Sequence, residues 1–92
     1  MHLSPKESQI LAFIFTNGAT IFEIMDNFCG GKDNLAKVHM SHIRRKLRLN
    51  GVEFLTEPAS KRYAVGKTPV RYFFSEEQKE KILTLTNGGS NA

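Results

Sequence analysis

Cysteine is nearly missing from this chain: Cys29 stands alone among 92 residues. A single thiol cannot close an internal disulfide, so a reducing compartment, the cytoplasm, is expected. Long apolar runs are missing too. None approaches the roughly 18–20 residues of a membrane-spanning helix, so no membrane partner is expected. The N-terminus, Met1-His2-Leu3-Ser4-Pro5, lacks the basic-then-apolar layout of a signal peptide. No phosphate-cradling glycine loop is present, because Gly30-Gly31-Lys32 is too short a match. No internal repeat is seen.

The residues that catalysis needs are not grouped. Carboxylates are scattered along the chain. Ser41 and His42 are neighbours on a predicted helix and point to different azimuths, which is wrong for a nucleophile and its base. His39 and His42 with Cys29 have no second ligand pair at metal spacing. No enzyme activity, cofactor or metal is therefore expected, and Cys29 reads as a small buried hydrophobe. At 10.4 kDa one domain is expected, with a real core but no room for a multi-layer enzyme.

Acid is also missing from one particular stretch, Asn34 to Asn50. The net charge of +4 is unevenly spread. Residues 31–67 carry nine Lys and Arg against three acids, while residues 1–30 are net negative and residues 68–92 are neutral. A basic segment of this kind is the electrostatic footprint of a nucleic-acid binder, and also of an ordinary solvated helix face.

Local signals divide the chain into elements. Ser4, Pro5 and Glu7 form a capping box with proline at the first helical position, and Asn17-Gly18 is a stop. They predict a helix over about 5–17. Thr20 and Glu23 repeat the box, and Gly30-Gly31 ends a short second helix over about 21–28. Asp33 or Asn34 opens a third helix, which runs to about Leu49 before Asn50-Gly51. Val52–Thr56 and Lys61–Val65 read as two strands of a hairpin with its tip around Pro58 and Ser60. Lys67–Phe74 reads as a strand or extended segment. Ser75 caps a fourth helix over about 76–86, with Glu76, Glu77 and Gln78 in its first turn. Asn87–Ala92 reads as a flexible tail.

The third helix is the informative one. At 100° per residue Ala36, Met40, Ile43 and Leu47 fall in one sector and predict the buried face. The opposite sector holds Asn34, Lys37, Val38, Ser41, His42, Arg45 and Arg48, with Arg44 at its edge. Arg44 and Arg48 are like charges four apart, an arrangement that destabilises a solvated helix and that an anion would relieve. Three helices followed by a β-hairpin, with a basic third helix, is the layout of an α+β winged helix-turn-helix. The major groove of B-DNA, about 12 Å wide, admits one such helix. Lys61 and Arg62 would add charge beside the hairpin tip.

Three stretches resemble one family. Leu3–Asn17, LSPKESQILAFIFTN, looks like the opening helix of the OmpR/PhoB-type response-regulator effector domain. Val38–Leu47, VHMSHIRRKL, closely resembles that family's recognition-helix signature, and Leu55–Val65 its closing hairpin. The resemblance covers about residues 3–65. It implies a bacterial or phage-encoded cytoplasmic regulator that binds double-stranded DNA, found on the nucleoid when bound. It also implies that Asn34, His39, Ser41, His42 and Arg44 occupy positions where relatives contact phosphates or bases, with Val38 facing a thymine methyl. In relatives a longer loop between the second and third helices touches RNA polymerase, which adds polymerase as an implied partner. Here the corresponding turn is only Gly30–Asp33.

The sequence departs from the family in several ways. No receiver domain is encoded, so a stand-alone regulator is expected. The hairpin tip, Glu57-Pro58-Ala59-Ser60-Lys61, lacks the family's glycine- and arginine-rich turn, and Glu57 would repel phosphate. The fourth helix is extra. Residues 1–66 read as the DNA-binding unit and 67–86 as an extension that could pair two copies. The competing reading is a winged helix that docks a protein partner through Phe73, Phe74, Ile82 and Leu85. Packing of those four side chains back on the core is favoured, because small domains bury the aromatics they have.

Overall fold

The computed structural model describes residues 2–58 and 70–90. The elements run α1 (Pro5–Asn17), β1 (Ala19–Thr20), α2 (Ile21–Phe28), α3 (Asp33–Leu49), β2 (Leu55–Pro58), β3 (Val70–Phe73) and α4 (Glu76–Ser90). Among the described residues this is a small α+β domain of four helices and one three-stranded antiparallel sheet, ordered β1-β3-β2. None of the described helices is long and apolar enough to cross a membrane.

The starts of α1, α2 and α4 follow from capping residues, whereas α3 begins at Asp33 behind Lys32, which makes no side-chain cap bond, so neither Asp33 nor Asn34 is the N-cap. Ser4 Oγ accepts from Glu7 N while Ser4 N donates to Glu7 Oε1, at 3.2 and 2.8 Å. Thr20 and Glu23 form the same reciprocal pair, and Ser75 with Gln78 a third. Each box satisfies backbone donors that the first helical turn would otherwise leave unpaired. Gly18 closes α1 at φ 73°, donating its N–H to Ile14 O. An added Cβ there would lie 2.9 Å from the Tyr72 carbonyl oxygen and against the Arg71 guanidinium, so β3 passes too close for any side chain. Gly30 and Gly31, both at positive φ, turn the chain from α2 into α3 within four residues.

The core lies between α1, α2, α3 and the inner face of the sheet. Ile10, Ile14, Ile24, Ile43, Leu47 and Val52 are fully enclosed. Phe54 stacks on Phe74 at 5.1 Å and tilts against Tyr72 at 5.7 Å, which seats the sheet on the helices. Burying side chains of this size contributes about 1.5–3 kcal/mol each.

The strand assignments need correction. The first strand begins at Leu55, not Val52, because Val52 is drawn into the core and Phe54 into the aromatic stack. Among the described residues its partner is β3, with Leu55 opposite Phe73 and Glu57 opposite Arg71. Lys61–Val65, expected as the return strand, lies outside the described residues. The segment read as an extension supplies the central strand, and Phe74 and Ile82 reach the same core at 4% exposure each. Tyr72 and Phe74, two apart, turn inward, whereas Val70 at the start of the strand stays 46% exposed. The fourth helix continues to Ser90, past the stop expected at 86. Once a helix is anchored through Ile82 and Leu85, each added residue costs little beyond its own weak propensity.

Candidate nucleic-acid interface

Helix α3 has 17 residues, a rod of about 25 Å. Its buried residues are Ala36, Met40, Ile43 and Leu47, the four that helical periodicity picks out. They rest against α1 and α2. That seating fixes the helix rotation, so the opposite face must look outward. Asn34, Lys37, Val38, Ser41, His42, Arg44, Arg45 and Arg48 are all exposed. His39 is half-buried at the flank, and Arg44, at the other edge, reaches water.

The face is not uniformly free. Lys37 pairs with Asp33 one turn back at 3.0 Å, with both side chains exposed. Arg48 Nε stands 3.6 Å from Glu53, each about two-thirds exposed. Such surface pairs contribute under about 1 kcal/mol and yield easily to a better anion. The Arg44 guanidinium lies 5.8 Å from the Tyr72 ring centre, which holds it between α3 and β3. The repulsion between Arg44 and Arg48 is thus partly answered inside the chain, by Glu53 and an aromatic face. Among the described residues, Asn34, Ser41 and Arg45 have no side-chain hydrogen bond or ion pair. Their donors and acceptors are unspent.

Beneath this face sits Glu7, 3% exposed. Its Oε1 takes Lys46 Nζ at 2.7 Å as well as the Ser4 amide, and its Oε2 lies 3.6 Å from His42 Nδ1. Burial pushes this carboxyl's pKa up. The Lys46 ammonium and the hydrogen bonds from Ser4 outweigh burial and hold it below the ordinary glutamate range. Lys46, half-buried, was not among the expected site residues, and the carboxylate that meets it lies 39 positions away. No local pattern signals that pair, because the capping box alone accounts for a glutamate at this position.

A shallow cleft opens beside the helix, lined by Arg44, Arg48, Glu53, Phe54 and Thr56. It places two guanidinium groups and a hydroxyl where α3 meets β2. Glu57, expected to repel phosphate, is paired with Arg71 at 2.7 Å. Lys61 and Arg62 lie outside the described residues. Among the described residues no three of His, Cys, Asp and Glu gather in a way that could hold a metal ion. Cys29 is buried, which raises its thiol pKa against a small opposing pull from Lys6. Compared with protein-family models, curated proteins and solved structures, the chain matches none.

Proposed function

We propose that this protein binds double-stranded DNA with sequence preference, as a transcriptional regulator of the winged-helix type. In this reading α3 lies in the major groove and the β2–β3 pair lies along the phosphate backbone. The observation that carries the reading is the outward face of α3. It presents a continuous set of donors with no acid between Asn34 and Asn50, on a helix whose rotation is set by four buried side chains. Asn34, Ser41 and Arg45 occupy the centre, suited to base edges. Lys37, Arg44 and Arg48 flank them, suited to phosphates. His42 lies on the other flank, the side away from Lys37, Arg44 and Arg48, and Val38, 48% exposed, offers an apolar contact. The resemblance of Val38–Leu47 to the OmpR/PhoB-type recognition helix points the same way.

The protein-docking alternative loses support from burial. Phe74 and Ile82 are in the core, and Leu85 packs against it. The test is a titration of the purified protein against a pool of random duplexes at low and near-physiological salt, with sequencing of the bound fraction. An enriched motif whose affinity falls steeply with salt is the expected result. The symmetry of the motif would report how many copies bind. Salt-sensitive binding without a motif would mean an architectural role instead. No binding at either salt would overturn the reading.

A further inference from the structure

We infer that Glu7 is a positioning residue for the DNA-reading face, acting through His42. The inference rests on the DNA-binding reading above.

The geometry is specific. One carboxylate oxygen, Oε1, is pinned by two donors, the Ser4 amide at 2.8 Å and Lys46 Nζ at 2.7 Å. Those donors come from two different places, the N-cap of α1 and a lysine of α3. With Oε1 held by two donors and the side chain 4% exposed, the direction of Oε2 is constrained. That oxygen faces Nδ1 of His42 at 3.6 Å, and the His42 side chain is 60% exposed on the face proposed to read DNA. The approach of Nδ1 to Glu7 turns that edge of the imidazole toward the protein and leaves Nε2 as the ring nitrogen turned away.

A tie between α1 and α3 alone would not call for this arrangement. Burying a carboxylate is costly, and an apolar residue of similar size would join the two helices at least as well. Glutamine would complete the capping box equally well. The charge is what distinguishes glutamate here, and its free oxygen is directed at a side chain of the outward face.

The test uses the full chain with its enriched duplex and a scrambled duplex as probes. Glu7→Gln keeps the shape and the capping box but removes the charge. It also makes the protein more positive, so sequence-independent affinity for the scrambled duplex should hold or rise. Affinity for the enriched duplex should instead fall about five- to tenfold, near the lower end of what one lost base contact costs. In a His42→Ala background the same change should have no further effect on discrimination. Glu7→Asp keeps the charge but draws it back by one methylene, and should show a smaller loss in the same direction. It decides the matter if Glu7→Gln does not fold. Unchanged discrimination in a folded Glu7 variant, or a Glu7→Gln loss that persists without His42, would overturn the inference. If wild-type protein enriches no motif, it is the DNA-binding reading itself that fails.

Discussion

Arg71 stands directly across the sheet from Glu57, and the two side chains meet at 2.7 Å. The same guanidinium donates to the Asn17 carbonyl at the end of α1. Helix α1 has no basic residue in its own last turn. Arg71 supplies that positive charge from β3, where it faces the negative end of the helix. The Arg71 side chain is a third exposed, so solvent weakens the effect. Arg71→Met should lower unfolding stability by about 1 kcal/mol. Urea denaturation checks this, and an unchanged midpoint would deny the capping role.

Gly18 and Gly30 separate two costs of a side chain. Both hold positive φ, but only Gly18 is crowded by β3, while a Cβ at Gly30 meets nothing within 4 Å. Gly30→Ala should cost about 1–2 kcal/mol for conformation alone. Gly18→Ala should cost clearly more, because Tyr72 and Arg71 must move as well. Comparing the two melting temperatures tests the order, and equal losses would contradict it.

The lowered Glu7 pKa makes a statement about acid. Its unfolded value is about 4.3, and in the folded protein it is lower. The stabilisation is therefore complete above the unfolded value and is lost as pH falls through the folded one. Wild-type protein should lose this contribution to stability as pH falls below about 4. Glu7→Gln should be less stable at neutral pH and should show a flatter acid limb. Denaturation curves collected from neutral pH downward would reveal it.

Arg45 is exposed and engages no partner among the described residues. Arg45→Ala should weaken binding to the enriched duplex by about 1–3 kcal/mol, as loss of a base contact does. Arg48→Ala should instead weaken all duplexes alike and reduce the salt slope by about one. Equal behaviour of the two variants would show that Arg45 reads no base.

Cys29 should resist alkylation in the native state, since it is 4% exposed and burial raises its thiol pKa. Reaction with iodoacetamide should become fast only in denaturant. Rapid native labelling would place the thiol at the surface.

Much of this molecule was legible before any coordinates. The sequence by itself determined the limits of α1 and α2 and the end of α3, because capping boxes and helix-stop glycines act within a few residues of one another; the start of α3 at Asp33 carries no side-chain cap. It also determined which side of α3 is buried, since periodicity is a local property of the helix. The tertiary structure alone decided that Val70–Phe73 is the central strand, because strand pairing depends on which edges the helices leave open. It alone decided that Glu7 meets Lys46 across 39 positions, and that Arg71 meets Asn17 across 54. In both cases a side chain that local rules explain as a cap or a surface charge gains its role from a distant partner. Such pairs form only after packing has brought the elements together, so no spacing in the chain records them.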